Sequence, residues 1–284
     1  MIDLHTHTTA SDGTCSPAQL IEAAGAAGLR VLAITDHDTL AGSDEAAPYS
    51  AAAGVSLISG IEISVKLVAS GSSKQKTVHL LGYFGNGGPS DDFRHWVKTV
   101  QDYRKERNVR LIASLRSKGI DIQIEEVEAI GRSMTARPHF ARIMVEKGYV
   151  KTIQEAFDEY LDEAGKAFVF HETIPVEEGI QRVVDGGGVP SLAHPVRIGR
   201  DAVREEELVR RLRDEGLGAV EVFHSDHTPE DVDRLLALAR RYGLAATGGS
   251  DFHGDTKPDI LLGTGRNGNV SVPDWVTQRL FTRA

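Results

Sequence analysis

Short apolar runs in this chain end repeatedly on a histidine or a carboxylate. Ile2-Asp3-Leu4 leads into His5-Thr6-His7, and Arg30 to Thr35 closes on Asp36-His37-Asp38. Val55 to Ile58 continues through Gly60 to Glu62, and Val189 to Ala193 closes on His194. Ala219 to Phe223 closes on His224, and Leu244 to Thr247 on Gly249-Ser250-Asp251-Phe252-His253. Helical stretches lie between the runs. They are Gln19 to Ala27 after a Ser16-Pro17 start, Ser43 to Ala53 with a break expected at Pro48, Pro175 to Asp185, Arg204 to Glu215, and Pro229 to Tyr242. Val65 to Val68 and Thr77 to Tyr83 read as a hairpin around a polar Ser70 to Lys76 loop, with His79 on the second arm. Strand alternating with helix predicts an α/β fold, a parallel barrel or a doubly wound sheet. In such folds active sites gather at the C-terminal ends of the strands.

The alternation stops at Gly85-Asn86-Gly87-Gly88-Pro89. From there to about residue 163 the pattern is helical: Phe93 to Lys118, Glu125 to Ile130, Pro138 to Lys147 and Thr152 to Leu161. The expected organisation is a barrel in two parts, 1–90 and 166–284, with a helical insertion over 91–165. The chain carries a net charge of −9, which argues against a broad nucleic-acid surface. The stretch from Arg94 to Lys151 is locally basic, with 13 Lys/Arg against 7 Asp/Glu. That contrast suits a cationic lobe facing a small anion over an acidic base. No apolar run approaches 18 residues, so no membrane span is expected. No secretory leader is visible, and the only cysteine, Cys15, excludes an intrachain disulfide and a cysteine-rich zinc site; cytoplasmic residence is the expectation.

His5 and His7 are two apart in an extended segment, so both rings project from one face. Asp12, in a Ser-Asp-Gly turn, can add a hard oxygen beside them. With His37, His194, His224, His253, Glu62 and Asp251 also at strand ends, imidazole and carboxylate converge in numbers beyond one ion's needs. Such donors suit two or three ions of Mn²⁺, Fe²⁺ or Zn²⁺. Cys15 has no adjacent base of its own and is not expected to act as a nucleophile. Asp36 and Asp38 are expected to orient imidazoles. His95 and His171 read as surface or packing residues.

His5-x-His7 with Asp12, Thr35-Asp36-His37-Asp38, Gly60-Ile61-Glu62, Ala193-His194-Pro195 and Gly249-Ser250-Asp251-x-His253, in this order, resemble the polymerase and histidinol phosphatase (PHP) family of metal-dependent phosphoesterases. The resemblance covers nearly the whole chain and implies a distorted seven-stranded (β/α) barrel with a multinuclear metal site. Carried over, the ligands fall on His5, His7, Asp12, His37, Glu62, His79, His194, Asp251 and His253. Tyr103-Arg104-Lys105-Glu106-Arg107-Asn108 and Ala136-Arg137-Pro138-His139-Phe140-Ala141-Arg142 resemble the branch of nucleoside 3',5'-bisphosphate phosphatases and a 5'-3' exoribonuclease. There the insertion holds the substrate, which implies Arg104, Arg107, Arg137 and His139 as substrate contacts, with Asp12 and His37 beside them.

The implied reaction is metal-dependent hydrolysis of a phosphate monoester of a small nucleotide, foremost a nucleoside 3',5'-bisphosphate. The alternative is 5'-3' exonuclease action on short oligonucleotides. The nucleophile would be a metal-bound water, with His224 or His227 as candidate proton donor. Manganese is the first expectation for the ions. No obligate protein partner is expected. A metal-binding module without activity and an amidohydrolase are the rivals from other classes. The complete ligand set speaks against the first, and the lack of a strand-end lysine against the second.

Overall fold

The structure, a computed structural model, describes residues 1–68, 75–85, 87–131, 135–162, 164–169 and 174–282. The expected Ser70 to Lys76 loop, for the most part, and His171 lie outside these residues. Seven strands form one sheet in chain order: β1 (Ile2–Asp3), β2 (Val31–Ile34), β3 (Ser56–Val68), β4 (Gln75–Phe84), β5 (Gly188–Leu192), β6 (Ala219–His224) and β7 (Ala245–Gly249). All neighbours pair in parallel except β3 with β4 and β4 with β5. The sheet curls until its edges meet. Leu4 N–H donates to the Gly248 carbonyl at 3.1 Å, Asp251 N–H to the His5 carbonyl at 2.8 Å, and His7 N–H to the Phe252 carbonyl at 2.9 Å. The result is a nearly closed seven-stranded barrel. The antiparallel β4 is its departure from a regular βα repeat.

The buried Asp3 side chain fastens that seam. Oδ1 accepts from Ser250 N–H at 2.9 Å and His5 N–H at 3.2 Å, and Oδ2 accepts from Ser250 Oγ at 2.6 Å and Gly263 N–H at 2.8 Å. Gly249 is required beside it, because a Cβ there would sit 2.2 Å from His5 N.

Helices α1 (Pro17–Ala26), α2 (Ala41–Ser50), α7 (Val176–Asp185), α8 (Ala202–Asp214), α9 (Pro229–Tyr242) and α10 (Trp275–Leu280) belong to the barrel. Two expectations are corrected here. Val55 to Ile58 and the arm from Val65 are one 13-residue strand, β3. Gly60 does not interrupt it; a Cβ there would meet the Ile34 carbonyl at 2.9 Å, so glycine marks close packing against β2. Helix α2 starts at Ala41, ends at Ser50 and runs through Pro48 without breaking. Pro48 lies in the last turn, where it removes a single bond near an end that would fray anyway.

The lobe comprises α3 (Asp91–Ser117), α4 (Ile124–Gly131), α5 (Arg137–Glu146) and α6 (Ile153–Ala156), the last passing into a wide π-helical turn over Phe157–Leu161 instead of one regular helix. Helix α3 belongs to both bodies. Phe93, Trp96 and Val97 in its first turns pack into the barrel core. Leu111, Ile112 and Leu115 in its last turns pack with Ile122, Val127, Phe140 and Met144 in a separate lobe core. Its middle, with Arg104 and Arg107, therefore lies at the junction.

Replacing Asp3 with alanine leaves several buried donors without an acceptor. Each such loss costs about 1–3 kcal/mol. Urea unfolding should show a destabilisation of roughly 3–5 kcal/mol; a change below about 1 kcal/mol would show that the seam does not depend on this carboxylate.

Candidate metal centre

The strand ends deliver their side chains into one buried cup. Glu62, on β3 and 1% exposed, is its centre. Glu62 Oε2 lies 3.4 Å from His5 Nε2, 3.2 Å from His7 Nε2 and 3.1 Å from His37 Nδ1. Oε1 lies 2.9 Å from His79 Nδ1 and 3.0 Å from His194 Nε2. Asp251 Oδ1 is 3.6 Å from His5 Nε2, 3.5 Å from His7 Nε2 and 3.4 Å from His253 Nδ1. Asp12 reaches His253 Nε2 at 3.4 Å, His7 Nδ1 at 3.6 Å and His37 Nε2 at 3.7 Å. All nine residues singled out in the sequence therefore meet. His79, on β4, is 27% exposed at the mouth.

Several nitrogens are turned inward with nothing to bond. His5 Nε2, His7 Nε2 and His37 Nδ1 are buried and have no hydrogen-bond partner. The outer nitrogens of two rings are occupied. His5 Nδ1 donates to Glu221 Oε1 at 2.8 Å, and His253 Nδ1 donates to the Asp251 carbonyl at 2.8 Å. Those bonds fix the tautomer of each neutral ring, so that once deprotonated its inner nitrogen offers a lone pair, the form a metal ion needs. Three donor groups, His5–His7–Asp251, His37–Glu62–His79 and His7–Asp12–His37–His253, each have ligand atoms within 4.8 Å of one another. Three carboxylates facing inward-turned imidazole nitrogens are a donor set that fits divalent cations.

The electrostatics agree. Burial alone would raise Glu62 and Asp12, but the surrounding imidazoles hold both well below the ordinary carboxylate range. Burial would lower His7, yet the facing carboxylates of Asp251, Glu62 and Asp12 raise it to about 9. The backbone is held in unusual conformations at the same edge, with φ of 28° at His194, 61° at Asp251 and 50° at Asp38. Non-glycine residues there are uncommon and cluster at functional sites.

Asp36 and Asp38 do not orient imidazoles. Asp36 accepts from Thr8 N–H and Thr8 Oγ1, both at 2.7 Å, and from Ser11 Oγ at 2.6 Å, so it grips the loop between His7 and Asp12. Asp38 accepts from Ser64 N–H at 2.8 Å and from Arg104. Both short carboxylates turn away from the cup and satisfy nearby donors. The residue that does orient a ring is Glu221 on β6, absent from the sequence reading. It is 0% exposed, and its Oε2 also accepts from His194 N–H at 2.7 Å. A lone acid inside the apolar run Ala219 to Phe223 was the available signal. Arg197 and Lys257 were also missed; each donates to Asp251 Oδ2 at 2.9 Å.

His224 Nδ1 accepts from Asp226 N–H at 3.0 Å, so in the neutral ring the proton sits on Nε2, 3.5 Å from Asp251 Oδ2. His227 lies behind it. Its Nδ1 donates to the Val222 carbonyl at 2.7 Å and its Nε2 has no partner. Burial and His224 lower it to about 4. Burial and then Asp255 push the Cys15 thiol up, away from a reactive thiolate. His95 is exposed and bonds the Asp91 carbonyl.

The lobe brings cations to the rim. Arg104 and Arg107 are 8% and 6% exposed. Arg104 pairs with Asp38 and bonds Ser64 Oγ at 3.0 Å. Arg107 has no carboxylate partner among the described residues, and burial followed by Arg104 and Arg137 holds it well below the usual guanidinium value. His139 Nδ1 accepts from Ala136 N–H at 2.9 Å, leaving its Nε2–H to the Ser11 carbonyl beside Asp12.

The PHP domain matches residues 3–173. Over 254 residues the chain is 33% identical to the 3',5'-nucleoside bisphosphate phosphatase of Chromobacterium violaceum, covering 89% of this chain and 87% of that protein. Over 252 residues it is 32% identical to the 5'-3' exoribonuclease of Haemophilus influenzae, covering 88% and 89%. A crystal structure from Bifidobacterium adolescentis, assigned as a metal-dependent phosphoesterase, superposes with a TM-score of 0.82 at 32% identity, covering 100% of this chain and 96% of the other. The chain belongs to the PHP-domain family. It is a metal-dependent phosphoester hydrolase. No described helix is long and apolar enough to cross a membrane.

Metal uptake must displace the proton that His7 holds below about pH 9. Calorimetry of Mn²⁺ binding at pH 7 in buffers of different ionisation enthalpy should therefore show proton release, with affinity rising as pH climbs towards 9. Binding without proton release would contradict the electrostatics of the cup.

Proposed function

We propose that this protein removes the 3'-phosphate from a nucleoside 3',5'-bisphosphate, giving a nucleoside 5'-monophosphate and phosphate. The observation carrying this reading is the buried guanidinium cluster at the mouth of the cup. One anionic group in the cup and a second against the lobe suit a substrate with two phosphates. The similarity to a bisphosphate phosphatase supports the same reading.

The ligand set proposed is His5, His7, Glu62 and Asp251 for one ion, Glu62, His79 and His194 for a second, and Asp12, His37 and His253 for a third. Manganese is the first candidate, and iron and zinc share the donor preference. When bound, the ions polarise the phosphoryl group and lower the pKa of a coordinated water towards ~7.

The chain's own groups do the rest. Arg107 and Arg137 hold the phosphate that is not cleaved, and a planar guanidinium can do so with two parallel hydrogen bonds. His139 reaches from the lobe to the Ser11 carbonyl beside Asp12. Arg104 fixes the wall by its bond to Asp38. Glu221 fixes His5, while Arg197 and Lys257 hold Asp251 Oδ2 so that Oδ1 faces the cup. His224 keeps a proton at Nε2 next to Asp251 and is the donor assigned to the leaving 3'-oxygen; the bare Nε2 of His227 does not suit that role. With one cysteine and a small soluble substrate, the cytoplasm is the compartment assigned.

A second reading, exonuclease action on short oligonucleotides, draws on the similarity to the exoribonuclease. Phosphate release from adenosine 3',5'-bisphosphate, compared with nucleotide release from short 5'-phosphorylated oligoribonucleotides, separates the two. A higher kcat/KM on the bisphosphate is expected, and the reverse order would make the oligonucleotide the substrate. Alanine at Asp251 or His194 should lower kcat by about 10³-fold or more, the equivalent of several kcal/mol of lost charge stabilisation, with the circular dichroism spectrum unchanged. Alanine at Arg137 should instead raise KM about tenfold with kcat nearly constant; an unaltered KM would remove Arg137 from the substrate site.

A further inference from the structure

A cavity of about 210 Å³ lies between α3, α7 and β3. Its walls include Trp96, Val100, Tyr103, Arg104 and Ser64. On a helix, positions three and four apart share one face, so Trp96, Val100, Tyr103, Arg104 and Arg107 form a single stripe along α3. The stripe changes character along its length. Its first half is aromatic and aliphatic, and its second half is two guanidiniums.

The barrel side runs in step with it. Glu62 and Ser64 project from the same face of β3, two residues or about 7 Å apart. Ser64 is paired across the sheet with His79. The cavity thus begins one pair of residues along the strand from the cup. The wall they share is the Asp38–Arg104 pair, braced by Ser64 and by Gln101 Nε2 on the Asp38 carbonyl at 3.1 Å. Asp38 there adopts φ 50°, a strained conformation for a residue with a side chain. The face of Trp96 is covered by Arg182 at 5.7 Å, whereas Tyr103 is 60% exposed at the rim.

We infer that this cavity is the nucleoside subsite: the base lies on the Tyr103 ring against Val100, while the phosphates extend past Arg104 to the guanidiniums and the cup. It rests on the nucleotide reading above and adds what selects a nucleoside over other phosphate esters. An aromatic platform beside a cationic track is how unstacked bases are held without sequence readout, and one stacked base is worth about 1–3 kcal/mol.

The test is calorimetric binding to the Mn²⁺-loaded protein, with adenosine 5'-monophosphate, the product of the proposed reaction, and its abasic tetrahydrofuran 5'-phosphate analogue as probes. The wild type should bind the nucleotide roughly 5- to 100-fold more tightly than the analogue. Tyr103→Ala should erase that difference and leave the analogue's Kd unchanged, while Tyr103→Phe should keep it. Tyr103 is exposed, so the alanine variant is expected to fold. Equal binding of both probes by the wild type, or equal weakening of both by Tyr103→Ala, would overturn the subsite and leave the phosphatase reading standing. Failure to bind either probe would overturn both.

Discussion

The Glu62 carboxylate is almost fully buried and has imidazole nitrogens of His5, His7, His37, His79 and His194 within 3.4 Å. A buried charge in such company must be compensated, and removing its partners would be costly. The fold solves this by bringing cation-binding nitrogens from β1, β2, β4 and β5 to the one strand, β3, that places a carboxylate among them. The barrel is what makes the meeting possible. Its seam sets the His5–His7 segment that follows β1 beside the Asp251–His253 segment that follows β7, and the seam is itself tied by a second buried carboxylate, Asp3. A third and a fourth, Asp36 and Glu221, fix the loop holding Asp12 and the ring of His5. Buried acids thus form two layers: one faces the cup, and the other holds the first in position.

The helical lobe is tied to this base through α3. Because that helix packs at one end into the barrel core and at the other into the lobe core, the residues at its middle cannot move independently of either body. Arg104 pairs with Asp38, which in turn holds Ser64 on β3. The cationic rim and the anionic cup are therefore linked by one short chain of hydrogen bonds. The guanidiniums of Arg104 and Arg107 thus give a molecule of net charge −9 a local concentration of positive charge on α3.

The residues that line the cup were legible in the sequence because most of them lie where apolar runs end, and a run's end can be read without knowing its neighbours. Glu221 was not legible in the same way. It sits inside a strand, and its value comes from His5, 216 residues away. Asp36 and Asp38 misled for a related reason: adjacency to His37 suggested contact with its ring, whereas their short side chains turn to Thr8, Ser11 and Ser64. Pro48 looked like a break because its conformational preference is local, and its position in the last helical turn explains why the helix survives it. The arm from Val65 looked separate from the run ending at Glu62, whereas the two are one strand. The run of helices between β4 and β5 was visible from the loss of strand patterning after Gly85. That α3 serves both cores was not, because the polar interruption at Arg104, Arg107 and Asn108 looks from the sequence like ordinary helix surface, although those residues are buried between the two cores.

The central claim is that this buried cup exists to hold divalent cations. Anomalous scattering from crystals grown with Mn²⁺ tests it most directly. The account predicts strong peaks among His5, His7, Glu62 and Asp251, at roughly 2.0–2.3 Å from the nitrogen and oxygen atoms that face inward. A cup free of anomalous density at saturating Mn²⁺, with its imidazoles bonded only to the carboxylates, would contradict it.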